Sequence, residues 1–211
     1  MYIAIEGVIG VGKTTLARLL QPRFDAELLL EVFEENPFLS DFYSDRERYA
    51  FQTQIFFLLS RYHQQHRTVP EILARGRPLI SDYTFAKDSL FARINLKNDE
   101  LSVYCQVHEA LAEKITLPDL LVYLRASTDT LMQRIALRDR AYERSMERSY
   151  IQQLNDAYEE FFSQPYDNTP VLTIDTDPLD FVRIPAHLDL IENRIRQALH
   201  LSPYQPPLLS E

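Results

Sequence analysis

The 211-residue chain has only four glycines, one cysteine and no tryptophan. A single cysteine rules out a disulfide framework. Cys105, flanked by Val103 and Val107 in a helical-looking stretch, reads as a small core residue and not as a nucleophile. No run of 18 apolar residues occurs, and no basic segment precedes an apolar run near Met1, so neither a membrane span nor a secretory leader is expected. A reducing cytoplasm is the expected compartment. Basic residues are in deficit, 22 Lys and Arg against 31 Asp and Glu, for a formal charge of −9. Such a balance argues against a nucleic-acid polymer or an anionic membrane as partner, because both attract Lys/Arg clusters. The five histidines fall at no metal-ligand spacing.

The scarce glycines are concentrated. Gly7, Gly10 and Gly12 belong to Gly7-Val8-Ile9-Gly10-Val11-Gly12-Lys13-Thr14, which satisfies the phosphate-loop pattern G-x-x-x-x-G-K-[ST] at every fixed position. Tyr2 to Ile5 reads as the buried strand before it, and Thr15 to Leu20 as the helix it opens. In this setting the loop's backbone N–H groups turn toward a nucleotide's phosphates at a helix N-terminus. Lys13 is expected on the β- and γ-phosphates of ATP and the Thr14 hydroxyl on Mg²⁺.

Short apolar runs at Ile3–Ile5, Leu28–Phe33, Pro78–Ile80, Leu120–Leu124 and Val171–Ile174 alternate with helical stretches. That alternation predicts an α/β domain with a five-stranded parallel sheet flanked by helices, spanning residues 1–200 as one unit. Crossover connections bring the ends after Ile5, Phe33, Ile80 and Leu124 to one edge, where open α/β sheets bind ligands. Lys13, Thr14, Glu34, Glu35, Ser81, Asp82 and Arg125 should therefore converge. Long helices are expected from Glu47 to Ala74 and from Glu100 to Thr116, the second capped by Asp99. Residues 201–211, with Pro203, Pro206 and Pro207, read as a loose tail.

Three constellations bear on the phosphoryl acceptor. A carboxylate at Glu34, or one residue on at Glu35, is suited to take a hydroxyl proton during in-line attack, or merely to cap the next helix. Gln54 and Arg61, about two helical turns apart, share a face on which an amide and a guanidinium can hydrogen-bond a nucleobase. Arg134, Arg138, Arg140 and Arg144 cluster after the fourth strand. They form either a solvated helix end or a lid that screens charge on the transferring phosphoryl group.

With these residues in place, the chain resembles the deoxynucleoside kinases from Tyr2 to about Asp180, and their bacterial members in particular. The resemblance rests on Glu34-Glu35-Asn36-Pro37 through Phe42-Tyr43, on Gln54 and Arg61 with Phe-Leu-Leu-Ser between them, on the arginine-rich segment ending at Glu143, and on Ile174-Asp175-Thr176-Asp177. It implies a phosphate-loop kinase fold with an arginine-rich lid, and ATP and Mg²⁺ as cofactors. Glu34 would be the base on the 5′-hydroxyl. Tyr43 and Glu143 would hold the deoxyribose, and Gln54, Arg61 and Asp88 would read the base. Arg134, Arg138 and Arg140 would close over the phosphates, and Thr14 and Asp82 would serve the metal. The nucleotide would lie on Gly7 to Thr15, that is Gly7, Val8, Ile9, Gly10, Val11, Gly12, Lys13, Thr14 and Thr15, with Arg134 also binding it and Asp175 and Asp177 beside its adenine. A homodimer through two long helices is implied as well.

One departure stands out. Where the family usually carries an acidic residue followed by Arg-Ser, this chain has Asp82-Tyr83-Thr84, and Lys87 is the candidate to supply the missing charge. Deoxyadenosine leads as substrate by resemblance, followed by deoxycytidine and deoxyguanosine. The competing readings are a thymidylate-type nucleoside monophosphate kinase, whose acceptor phosphate needs a fixed arginine, and a non-catalytic nucleotide-binding homologue.

Overall fold

The computed structural model describes residues 1–32, 35–144, 146–166 and 169–203. Five strands, β1 (Tyr2–Glu6), β2 (Glu27–Leu29), β3 (Leu79–Ser81), β4 (Leu120–Arg125) and β5 (Val171–Asp175), form one sheet in the order β2-β3-β1-β4-β5. Every pairing is parallel, with Ile3 opposite both Ile80 and Leu120, and Leu124 opposite Ile174. The helices are α1 (Lys13–Leu20), α2 (Leu39–Ser44), α3 (Arg46–Ala74), α4 (Lys87–Asn95), α5 (Asn98–Ala112), α6 (Thr128–Arg138), α7 (Arg148–Phe162) and α8 (Pro185–Ala198). The alternation of strand and helix thus gives the expected α/β architecture.

β1 is buried at all five positions because strands cover both its edges and helices both its faces. β3 and β4 leave β1 on opposite sides, so a crevice opens at its carboxyl end, directly before the glycine loop. Local chemistry fixes the helix starts. Asp45 accepts from the Arg48 amide at the N-cap of α3 (3.3 Å), and Ser127 accepts from the Thr130 amide at the N-cap of α6 (3.3 Å).

The structure corrects three expectations. β2 ends at Leu29, not at Phe33: the next chain groups turn to side chains, Leu30 O accepting from Gln64 and the Glu31 amide donating to Asp82. α5 begins at Asn98 with Lys97 at its N-cap and no side-chain cap bond, so Asp99 stands in the first turn, where its charge complements the helix dipole. Cys105 is only half-buried: α5 turns Tyr104 into the core, and Val103 and Cys105 flank it on either side. Phe33, Glu34 and residues 204–211 of the expected tail lie outside the described residues. Among the described residues, no helix is long and apolar enough to cross a membrane.

Candidate active site

The loop between β1 and α1 has the backbone its glycines allow. Gly7 and Gly12 have φ of 146° and 107°, and a Cβ on Gly7 would meet the Leu124 carbonyl oxygen at 2.3 Å. Lys13 Nζ donates to Gly7 O (2.6 Å) and Val8 O (3.2 Å) across the loop's mouth. Burial pushes the Lys13 ammonium down to about 8, with the Lys87 charge adding to the effect against Glu6, Glu31 and Asp82. An anion arriving at the loop would oppose that shift.

From this loop a cavity of about 280 Å³ runs inward. At its phosphate end stand Gly10, Gly12, Lys13, Thr14 and Thr15. Thr14 Oγ1 donates to Asp82 Oδ2 (2.5 Å), while Asp82 Oδ1 accepts from the Glu31 amide (2.8 Å). A hydroxyl and one carboxylate beside a phosphate loop fit Mg²⁺, which is held through few protein oxygens together with substrate phosphates. Among the described residues no group of three His, Cys, Asp or Glu side chains forms a metal cluster.

Glu31 is the acidic side chain that the sequence reading missed. It lies two residues past the end of β2 and lines the cavity between Asp82, Arg61 and Lys87. Lys87 Nζ donates to Glu31 Oε2 (2.6 Å), and Arg61 donates to Glu31 Oε1 through Nε (2.9 Å) and Nη2. Burial alone would raise the Glu31 carboxyl, but the two cations outweigh it and hold the group well below the usual carboxylate range. The signal was present in the sequence: Glu31 is the one charge in the apolar run Leu28 to Phe33. Glu34 lies outside the described residues, and Glu35 is exposed and absent from the cavity wall.

At the far end, Gln54 and Arg61 project from the same face of α3, and Arg61 Nη1 pairs with the fully buried Asp88 of α4. Of the three residues expected to read a base, Gln54 and Arg61 line the cavity, while Asp88 stands behind Arg61 and outside the wall. Phe57 lies under the Arg61 guanidinium (4.5 Å to its centroid), and Phe91 faces the same space. Tyr43 stacks on Tyr142 (5.9 Å between centroids). Glu143, from a single 3₁₀ turn over Ala141–Glu143, is buried beside them and receives Arg138 Nη2 on both oxygens (2.6 and 2.7 Å).

The lid arginines divide. Arg138 and Arg140 line the cavity, and Arg140 Nη1 lies 3.6 Å from Glu143 Oε1. Arg134 instead donates to Val11 O (3.2 Å) and to Thr176 Oγ1 and O (2.9 and 2.8 Å), tying the phosphate loop to the segment after β5. Arg144 pairs with Asp139 at the surface. On that outer side a groove joins Gly12, Arg134, Asp177 and Phe181, whose ring edge would stand 3.0 Å from a Gly12 Cβ. Asp177 accepts from the Ser127 amide, and Asp175 accepts from the Asp177 amide, so Asp175 supports the groove from outside its wall. Arg46 opens α3 and pairs with Glu147 at the surface.

Comparison with known proteins agrees with this geometry. The model of a family described as deoxynucleoside kinase matches residues 3–200. A deoxyguanosine kinase of Bacillus subtilis (strain 168) is 39% identical over 197 residues, covering 89% of this chain and 95% of its own. A deoxyadenosine kinase of Dictyostelium discoideum is 35% identical over 178 residues, covering 82% of this chain and 71% of its own. The solved structure of deoxyadenosine kinase from M. mycoides with bound dATP aligns with a TM-score of 0.81 at 28% identity, covering 93% of this chain and 99% of that one.

Proposed function

The chain belongs to the deoxynucleoside kinase family, and from that membership and the site's geometry we propose that it transfers the γ-phosphoryl group of ATP to the 5′-hydroxyl of a deoxynucleoside. One observation carries the reading. A single cavity joins the phosphate loop to Gln54 and Arg61, the latter backed by buried Asp88, with the Glu31 carboxylate, Arg138 and Arg140 along its wall.

Glu31 takes the 5′-hydroxyl proton in this scheme. It lies between the two ends of the cavity, is ionised at neutral pH and is held in place by three hydrogen bonds from Arg61 and Lys87. A strong base is not needed, because phosphoryl transfer through a loose transition state depends chiefly on positioning and charge neutralisation. Lys87 supplies the charge that Tyr83 cannot. Tyr43 and Glu143 hold the sugar, and Gln54 with the Arg61–Asp88 pair reads the base edge. Lys13, Arg138 and Arg140 screen the phosphates, while Arg134 keeps the adenine groove aligned with the loop. Thr14 and Asp82 would hold Mg²⁺, which supplies further charge neutralisation when bound.

The enzyme acts in nucleotide salvage in the cytoplasm, and as a homodimer built on α3 and α5. Exposed Leu59 on α3 and Val103 on α5 support that interface. Purine deoxynucleosides lead as substrates. Deoxyadenosine is the choice from the sequence, and the deoxyguanosine kinase relative makes deoxyguanosine its nearest competitor. The test is ATP-dependent phosphorylation with Mg²⁺ across the four deoxynucleosides, their ribonucleoside counterparts and dTMP. Turnover on a deoxynucleoside names the base. Activity on dTMP alone, or on nothing, would overturn the proposal.

A further inference from the structure

Glu6 is a carboxylate in the middle of the sheet. It ends β1 and is fully buried, at a position where a parallel strand covered on both faces normally carries an apolar side chain. Burying a carboxylate is costly unless donors surround it. Four neutral donors do so here. Oε1 accepts from the Thr84 amide (2.6 Å) and Thr84 Oγ1 (3.0 Å), and Oε2 accepts from the Gly7 amide (3.2 Å) and Tyr158 Oη (3.2 Å).

Each donor belongs to a segment with a working part. Gly7 opens the phosphate loop, and its carbonyl oxygen accepts from Lys13. Thr84 lies two residues after Asp82, which accepts from Thr14, and three before Lys87, which donates to Glu31. Tyr158 lies on α7, the helix that follows the Arg138–Glu143 segment. One side chain therefore fixes the start of the phosphate loop against the segment carrying Asp82 and Lys87, and fixes both against α7. An apolar residue would fill the same space without setting any of these distances.

We infer that Glu6 is a positioning residue for phosphoryl transfer, holding the phosphate loop in register with the Asp82–Lys87 segment; the inference rests on the kinase reading above. Glu6→Gln tests it at constant volume. The amide keeps one acceptor oxygen and turns a donor NH₂ toward donors that the carboxylate satisfied. Because misplacement of reacting groups by about 1 Å can cost about 10²-fold, kcat should fall by roughly tenfold to a hundredfold. Deoxynucleoside Kd and binding stoichiometry, measured calorimetrically, should match the parent.

A merely structural role would instead lower kcat only in proportion to the lost binding sites. Either that pattern, or full stoichiometry with kcat within about twofold of the parent, overturns the inference. Should Glu6→Gln fail to fold, Thr84→Val decides by the same readout. It removes one donor and should lower kcat severalfold at full stoichiometry, and an unchanged kcat overturns the inference. A parent chain without turnover on any deoxynucleoside overturns the kinase reading and this inference together, whereas an active parent matched by its variant overturns the inference alone.

Discussion

Lys87 Nζ lies 2.6 Å from Glu31 Oε2, and both side chains are withdrawn from solvent at the centre of the cavity. The ammonium belongs to the first residue of α4, one turn beyond Tyr83, which has no charge and directs its hydroxyl to Gln64 instead. The cation expected beside the carboxylate thus arrives from the next helix. A hydrogen bond to a charged group contributes about 1.5–3 kcal/mol, which corresponds to roughly tenfold to a hundredfold in rate. Lys87→Ala should lower kcat by about that much while ATP binding, measured by calorimetry, stays near the parent. Unchanged turnover in Lys87→Ala, set against an inactive Lys13→Ala, would remove Lys87 from the mechanism.

The identity of the base is decided by comparing two carboxylates three residues apart. Glu31→Gln should lower turnover by about 10²–10⁴-fold, the usual contribution of general-base catalysis, and Glu34→Gln by much less. The reverse ranking would return the role to Glu34. If both variants retained full rate, proton removal would lie outside this stretch altogether.

How far the sequence led is seen in the same stretch. The phosphate loop was legible because its glycines must adopt positive φ, and few residue patterns meet that demand. Gln54 and Arg61 were legible because helical periodicity puts them on one face. Glu31 was not, because an apolar run of six residues reads as a strand through Phe33. What ends β2 at Leu29 is tertiary: Asp82 and Gln64, distant in sequence, capture the backbone groups that a longer strand would have used. The partners of Arg134 were not legible for a similar reason. Arg134 stands one helical turn from Arg138, yet its fork is committed to Val11 and Thr176, partners that helical spacing alone does not reveal. Glu6 escaped notice because a single charge ending a strand looks like the start of a loop, and its donors come from three separate segments.

In the proposed scheme Asp88 serves both base recognition and stability. It is fully buried and its carboxylate is paired with Arg61, which also donates to Glu31. Removing one partner of a buried ion pair costs about 3–5 kcal/mol, so Asp88→Ala should be markedly less stable in a urea titration. Among the folded molecules, the nucleoside KM should rise by more than about tenfold, with a smaller effect on kcat, since base reading acts mainly on binding. A variant with parental KM on every deoxynucleoside would take Asp88 out of the base site.

Glu31 should also mark the acid side of the stability profile. Its ordinary value is near 4.5, and in the folded chain the Arg61 and Lys87 charges overcome burial and hold it well below that. The unfolded chain therefore binds this proton at a higher pH than the folded one. Stability from the group is fully present above about pH 4.5 and drains away as the pH falls below it toward the folded value. Glu31→Gln cannot titrate here. It should be less stable than the parent at neutral pH, because buried Lys87 loses its anion and Arg61 keeps only Asp88, and its melting temperature should fall less steeply between about pH 5 and pH 3. The two profiles should thus draw together in acid. Parallel profiles would mean that Arg61 and Lys87 do not hold the Glu31 charge in the folded protein, and the case for Glu31 as the ionised acceptor of the 5′-hydroxyl proton would fall with them.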